Sequence, residues 1–248
     1  MTDMTKATSA GLRPLAVRAL GQTGADIERL VREARQTARR QRRPLTWHDI
    51  DIALRGRHKL MLDDVLWRVC LHEAGHAIAW SLLGVGEVLS VTVGVENLGQ
   101  VLARRRTDMA QTESWLKQTM ACLLAGRVSE QMVLGDVVAG AGGDDTSDLA
   151  QATDYALAAE TRLGFSRINP LLYCNPSGSL DLLSLDRELA ARVNERLISA
   201  ETLALELLTS HCNDLFEIAT RLQERGVMEG REIRQMLGLA EPGLPEPS

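Results

Sequence analysis

Residues 70–80 read CLHEAGHAIAW, an apolar run of mostly small residues that carries two histidines and a glutamate. Side chains four residues apart lie on one face of a helix, so His72 and His76 can present ring nitrogens to one ion. Glu73 points about 100° away around the same helix. Burying these polar groups is costly unless they have partners. The stretch therefore predicts a helix that holds a metal ion.

Zn²⁺ is the ion that a pair of neutral imidazoles favours. Zinc lowers the pKa of a bound water to about 7, and Glu73 is placed to accept a proton from that water. The HExxH pattern arises by chance on the order of once per hundred chains of this length, but here its context is apolar and compatible with a helix. Gly75 costs about 1 kcal/mol of helix stability relative to alanine, and close packing at that position would explain it.

A catalytic zinc ion needs a third protein ligand and keeps its fourth position open. Spacing alone does not identify that ligand. An aspartate in the first turn of a predicted helix, such as Asp148, would be held rigidly, although an isolated aspartate there is more often a helix cap or a solvated acid. The downstream candidates are Glu130, Asp136, Asp144, Asp145, Asp148, Asp154 and His211.

The composition of the 248 residues is that of a globular protein, with 45% hydrophobic and 25% charged residues. Aromatic residues make up only 3%, so the core must be built from Leu, Ala, Val and Ile, which favours helices. A net charge of −5 argues against nucleic-acid binding. Because no apolar stretch approaches the ~20 residues of a membrane span and no secretory signal begins the chain, we predict no membrane segment and a cytoplasmic location.

Hydrophobic spacing predicts a mainly α fold with a small β-hairpin. Alternating or β-branched residues at 88–95 and 100–106 flank the turn ENLG, and this hairpin is the only strong β signal. Helices are predicted over 61–83, 112–134, 147–163, 184–209, 211–225 and 230–237. The predicted domain organisation is a disordered tail at 1–11, a small helical unit at 12–57, a larger domain at 58–240 and a disordered tail at 241–248.

Several segments resemble the FtsH family of ATP-dependent zinc metalloproteases. HEAGHAIAW resembles that family's HEAGHA block, and LLAGRVSEQMVLGD (123–136) resembles its GGRxAEExxFG helix. TSDLAQAT (146–153) resembles NDxxxAT, whose aspartate is the third zinc ligand. The resemblance therefore implies that Asp148 joins the two histidines as a ligand of Zn²⁺ and that Glu73 is the general base.

The N-terminal helices fit the same family. Residues 19–54, ALGQTGADIERLVREARQTARRQRRPLTWHDIDIAL, are similar to the helical lid of the family's AAA ATPase module. The resemblance implies an AAA-lid-like unit at 12–57 before a helical zinc-peptidase domain at 58–240. It also implies polypeptide substrates, hexamers and, for the family as a whole, a membrane anchor.

The chain departs from that family because it carries no GxxxxGK[ST] phosphate loop, and a lid alone cannot hydrolyse ATP. It is expected to be either the proteolytic part of a longer ATP-dependent protease or a relative without a motor. The rival interpretation is a non-catalytic assembly or regulatory subunit that keeps the peptidase scaffold. The intact HEAGH motif counts against this rival, and the missing motor counts for it.

Substrate binding is predicted on the second strand of the hairpin. An extended peptide can pair with an exposed strand edge, which assigns this role to Gly99, Gln100, Val101 and Leu102. An ordinary structural hairpin is an equal alternative. The basic run at 39–43 is interpreted as a solvated helix end that complements the helix dipole, in preference to a phosphate or nucleic-acid site.

Overall fold

The computed structural model describes residues 12, 15–16, 19, 23–56, 62–95, 98–139, 143–174 and 183–240. The predicted disordered tails at 1–11 and 241–248 lie outside these residues. The described chain is mainly helical with one small antiparallel sheet, which confirms the predicted fold class. Within those ranges, no helix combines the length and the apolarity that a bilayer crossing demands.

The helices and strands lie close to their predicted positions. Capping side chains begin several of the helices; for example, the Thr112 hydroxyl accepts the N–H of Trp115, and the Ser147 hydroxyl accepts that of Ala150. The elements in chain order are α1 (Gly24–Arg40), α2 (Trp47–Gly56), α3 (Asp63–Leu83), β1 (Gly86–Val95), β2 (Leu98–Arg105), α4 (Glu113–Leu134), α5 (Asp148–Thr161), α6 (Arg187–Ser210), α7 (Cys212–Arg225), β3 (Val227–Glu229) and α8 (Gly230–Met236).

Helices α1 and α2 pack on each other around an apolar cluster of their own. Thr23 begins α1 with a capping box, in which its hydroxyl accepts the N–H of Asp26 while the Asp26 carboxylate accepts the N–H of Thr23. This arrangement is compatible with a separate unit, and the domain boundary after residue 57 stays a prediction. The buried members of the cluster are Leu30, Ala34, Ile50 and Leu54.

Helix α3 runs through the main core, and its central residues are almost all buried. Its position is fixed by a close contact with α4. A Cβ added to Gly75 would lie 2.6 Å from the carbonyl oxygen of Ala125 and 2.9 Å from the Cβ of Ser129. The Ser129 hydroxyl also donates a 2.9 Å hydrogen bond to the carbonyl of Leu71. The two helices therefore meet with almost no side chain between them, which explains a glycine in the middle of α3.

The sheet has the strand order β2-β1-β3, and both pairings are antiparallel. Val91 of β1 lies opposite Val101 of β2 on one side and opposite Met228 of β3 on the other. The hairpin is therefore not the only β element, because the short link between α7 and α8 supplies a third strand that the sequence did not predict. Among the described strands β2 pairs with β1 alone, so it lies at an edge of the sheet.

Candidate metal centre

Three side chains meet beside the HEAGH segment of α3. The Nε2 atoms of His72 and His76 lie 3.0 Å apart. The Oδ2 atom of Asp148 lies 3.1 Å from Nε2 of His76 and 3.5 Å from Nε2 of His72. Asp148 reaches this point because it is the first residue of α5, directly after the capping Ser147.

Hydrogen bonds orient both imidazoles toward the centre of this cluster. Nδ1 of His76 donates to the carbonyl of Cys122 over 2.7 Å. Because a carbonyl oxygen can only accept, this bond fixes the proton on Nδ1 and leaves the Nε2 lone pair for a metal. Nδ1 of His72 lies 2.7 Å from the Oε1 atom of Glu130, and this contact fixes the second ring in the same sense.

Glu130 is buried, and each of its two carboxylate oxygens has a hydrogen-bond partner that stabilises the ionised form. Arg68 donates from Nη1 to Oε2 of Glu130 over 2.8 Å and from Nη2 to Oδ1 of Asp136 over 2.6 Å. Burial alone would raise the pKa of Glu130, but the hydrogen bonds from His72 and Arg68 hold it below its ordinary value. An ionised Glu130 strengthens His72 as a donor to a metal.

The electrostatics of the cluster favour a positive charge at its centre. Burial acts to lower the pKa of His72, but its hydrogen bonds with Asp148 and Glu130 outweigh burial and raise the value to about 10. Burial likewise acts to raise the pKa of Asp148, and its hydrogen bonds with the two histidines hold it well below the ordinary range. A site that holds a proton this strongly also attracts a divalent cation, which competes for the same lone pairs.

The donor set fits zinc. The three donor atoms of His72, His76 and Asp148 all lie within 4.8 Å of one another. Two imidazole nitrogens and one carboxylate oxygen, with one side open to a cleft, match the three protein ligands and free fourth position of a catalytic zinc ion. The carbonyl and carboxylate behind the two rings supply the support that such ligands require.

Glu73 lies beside the cluster and is covered by β2. Its side chain is only slightly exposed, and burial raises its pKa. A Cβ added to Gly99 would lie 2.6 Å from Cδ of Glu73. The strand therefore approaches the carboxyl group so closely that a larger residue here would require Glu73 or the strand to shift.

A cleft of about 1040 Å³ opens onto Glu73 and the three clustered side chains. One wall includes the first turn of α5, with Asp148 and Gln151. A cavity of this size accommodates several residues of an extended peptide. Another wall is strand β2. Its residues on one face line the cleft, namely Gly99, Val101, Ala103 and Arg105, and so does Gln100.

The model of peptidase family M41 matches residues 67–236, which contain every one of these side chains. The chain belongs to peptidase family M41.

Individual relatives in the M41 family agree with this assignment. The ATP-dependent zinc metalloprotease FtsH 2 of Sphaerobacter thermophilus is 30% identical over 245 residues, which cover 93% of this chain and 37% of that protein. FtsH 4 of Synechocystis sp. is 31% identical over 254 residues, covering 92% and 40%. The FtsH of Thermus thermophilus is 31% identical over 260 residues, covering 96% and 40%.

The chain thus spans about two fifths of the length of the curated relatives that it matches. These matches confirm the resemblance to the FtsH family that the sequence motifs indicated. At the level of the family, the predictions of a metalloendopeptidase and of Zn²⁺ as its cofactor are confirmed as well.

The other candidate ligands of this M41 peptidase lie outside the cluster. Glu130 supports His72 from behind, and Asp136 is paired with Arg68. Asp144 accepts the N–H and the hydroxyl proton of Thr146. The described cluster likewise leaves out Asp145, Asp154 and His211.

Two residues of the M41 site have roles that the sequence analysis did not assign. Arg68 holds Glu130, and a Cβ added to Gly126 would lie 2.5 Å from Nε2 of both His72 and His76. No local sequence pattern indicates the role of Arg68, because it lies 62 residues from Glu130 along the chain. Gly126 does carry one, since a glycine inside a predicted helix indicates a close approach, as Gly75 does.

Proposed function

We propose that this chain is a zinc endopeptidase in which His72, His76 and Asp148 hold the metal and Glu73 is the general base. The observation that carries the proposal is the convergence of two imidazole nitrogens and a carboxylate oxygen beside a buried glutamate at the base of a cleft. A structural zinc site would be closed by a fourth protein ligand and would have no need of Glu73.

Glu73 moves the proton in the proposed reaction. Zn²⁺, when bound, supplies Lewis-acid activation of water and of the scissile carbonyl. The Glu73 carboxylate takes a proton from the attacking water and later delivers it to the leaving amine. Burial supports this role, because it raises the pKa of Glu73 and so makes the carboxylate a stronger base.

The substrate is proposed to bind as an added strand along β2. The edge position of β2 and the lining of the cleft by Gly99, Gln100 and Val101 support this mode. The Leu102 side chain is 42% exposed and does not line the cleft, so its contribution would come from the backbone. Main-chain hydrogen bonds supply affinity in this mode without demanding a particular sequence.

The test is the substitution Glu73→Gln in zinc-loaded protein, with an unfolded casein as substrate. We expect bound zinc to be unchanged and cleavage to fall by about 10²–10⁴-fold, the range for removal of a general base. A chelator should abolish cleavage by the wild type, and added zinc should restore it. Glu73→Gln protein that keeps its zinc and cleaves at the wild-type rate would refute the assignment.

The non-catalytic alternative gives a different result in the same assay. A regulatory subunit would bind unfolded chains without cleaving them, with or without the chelator. ATP-dependent degradation of folded proteins is proposed only for this chain acting together with an ATPase module. Hexameric assembly is a further proposal that sedimentation of the zinc-loaded protein would test, and cytoplasmic location stays a prediction.

A further inference from the structure

Three consecutive arginines at the end of β2 differ in their partners. Arg104 pairs with Glu87 over 2.5 Å, and Arg106 pairs with Asp108 over 2.7 Å. Arg105 lies between them and faces the cleft. Within the part of the chain that the structure describes, no carboxylate pairs with Arg105. It is therefore a cation in the proposed substrate path that no described carboxylate neutralises.

Tyr155 of α5 holds Arg105 in place. Nη1 of Arg105 donates to the Tyr155 hydroxyl, and its guanidinium carbon lies 5.4 Å from the centre of the tyrosine ring. The ring in turn makes an edge contact with Trp115 at 6.3 Å between centroids. One nitrogen of the fork is thus used to fix the side chain, and the remaining donors can bind a carboxylate without further ordering.

The Arg105–Tyr155 contact joins the two walls of the cleft away from the metal cluster. Along β2, Arg105 comes six residues after Gly99, roughly 20 Å in an extended strand. Along α5, Tyr155 comes seven residues after Asp148, about 10 Å along the helix axis. At the rise of an extended chain, a peptide residue beside Arg105 would lie between about three and six residues from the scissile bond.

We propose that Arg105 is a specificity determinant that binds a carboxylate of the substrate at this distance from the cleaved bond. The inference rests on the proposed function, since it needs a peptide in the cleft. The carboxylate can come from an acidic side chain or from a chain terminus, which offer the guanidinium the same fork of oxygen atoms.

The test uses peptides of one parent sequence in which Glu, Gln or Lys occupies, in turn, each position about three to six residues from the cleaved bond. For wild type we expect kcat/KM for the best-placed Glu peptide to exceed that of its Gln partner about fivefold, the upper range for a solvent-accessible ion pair. The ratio should fall with added salt. The Glu-to-Gln ratio of kcat/KM should approach one in Arg105→Gln. In Arg105→Glu, kcat/KM should be highest for the Lys peptide.

The matched control is Arg104→Gln. It removes one positive charge from the same strand, but from a residue that is paired with Glu87 and does not line the cleft. This variant should keep the wild-type preference. Peptides with a free or an amidated C-terminus, and no internal acid, separate a terminal carboxylate from an acidic side chain. A wild-type enzyme that shows neither preference overturns the inference.

A binding measurement separates this inference from the proposed function. Fluorescence anisotropy of the same labelled peptides with zinc-loaded Glu73→Gln protein needs no turnover. A Glu-over-Gln affinity ratio that disappears when Arg105→Gln is added supports the inference even if no peptide is cleaved. An equal affinity for both peptides, in a protein whose wild-type form cleaves them, refutes the inference and leaves the peptidase assignment intact.

Discussion

At the scale of single residues, two glycines determine how closely the reactive groups can gather. Gly99 leaves room for Glu73 beneath β2, and Gly126 leaves room for both histidine rings against α4. Neither glycine has a backbone conformation that demands glycine, so the reason for each is the space that a Cβ would take from the neighbouring side chains. Because the two positions crowd different groups, their substitution should impair the site in different ways.

Substitution of Gly99 should affect the proposed general base and spare the metal. In Gly99→Ala the new methyl group would overlap the carboxyl group of Glu73, so this side chain or the strand has to move. We expect cleavage of casein to fall by at least about 10²-fold, since misplacement by about 1 Å has that effect. Bound zinc, measured by elemental analysis, should stay at the wild-type level. Gly24→Ala is the control, because a Cβ there meets nothing within 4 Å.

Substitution of Gly126 should instead weaken metal binding. In Gly126→Ala the methyl group would lie 2.5 Å from Nε2 of both histidines of the cluster, so the rings or α4 would have to move. We expect the zinc affinity, measured by competition with a chromogenic chelator, to fall by about 10–100-fold, the range for disturbed ligand support. A Gly126→Ala protein with wild-type zinc affinity would show that the rings do not depend on this close approach.

The predictable part of the site is the part whose residues are close in sequence. The spacing of His72 and His76 implied a shared ion because a helix brings such side chains together. The contacts of Glu130 with His72 and Arg68 join positions 58 and 62 residues apart, and no local pattern encodes them. Glu130 was therefore a candidate ligand in the sequence but lies behind a histidine of the cluster in the structure.

At the scale of elements, helix ends were predictable and the short strand was not. The predicted helices at 112–134 and 147–163 begin with Thr112 and Ser147. Threonine and serine are residue types that often cap helices, and both residues do so in the structure. Strand β3 has three residues, Val227–Glu229, which are too few to show an alternating pattern. Its extended form depends on pairing with β1, which is a tertiary contact. Length and distance along the chain decide what a single sequence reveals.

An ion cluster around the buried Glu160 ties α4, α5 and α6 together. Glu160 of α5 accepts hydrogen bonds from Arg196 at 2.6 Å and from Arg192 at 3.0 Å, both on α6. Arg196 also pairs with Glu113 at the start of α4. Burial alone would raise the pKa of Glu160, but the two arginines hold it below its ordinary value. The cluster fixes the far end of the helix that carries Asp148.

Removing the charge of Glu160 should lower stability in a pH-dependent way. Because its pKa is lower in the folded state, its contribution is complete above the unfolded value of about 4.3 and is lost as the pH falls through the folded value. We expect Glu160→Gln to reduce the free energy of unfolding by roughly 1.5–3 kcal/mol at pH 7, the range for hydrogen bonds to a charged group. The difference from wild type should shrink between about pH 5 and pH 3.

Urea denaturation at several pH values would measure this effect. The control is Glu28→Gln, which breaks the largely exposed ion pair of Glu28 with Arg32 on α1. Such pairs contribute little, so this variant should stay within about 0.5 kcal/mol of wild type at every pH. A difference between wild type and Glu160→Gln that stays constant down to about pH 3 would contradict the prediction.

At the scale of the whole molecule, the metal cluster links segments that are distant in sequence. His72 and His76 belong to α3, Asp148 begins α5, and the carbonyl that orients His76 comes from α4. A metal that binds only the folded arrangement stabilises the fold, by an amount that grows with the logarithm of the free metal concentration above Kd. The site is therefore expected to contribute to stability as well as to chemistry.

Removal of zinc should lower the melting temperature of the chain. A free zinc concentration of about 100 times Kd stabilises the folded state by about 2.7 kcal/mol. That corresponds to roughly 5–11 °C in Tm for a protein of this size. Differential scanning calorimetry with zinc and then with excess chelator would measure the shift. Asp148→Asn, which weakens the proposed third ligand, should show a smaller zinc-dependent shift, and an equal shift would argue against Asp148 as a ligand.

The pairing of β1 with both β2 and β3 has a consequence for the order of folding. The hairpin forms from neighbouring residues, whereas Val227–Glu229 must return from beyond α7 to reach β1. Local pairings form quickly and such distant pairings slowly. During synthesis the ribosome would therefore release the nascent hairpin with β1 exposed on its other side, and the cleft wall would become rigid only in a late step. If cleavage needs this wall, the proposed peptidase would stay inactive while its own unfolded segments are still within reach.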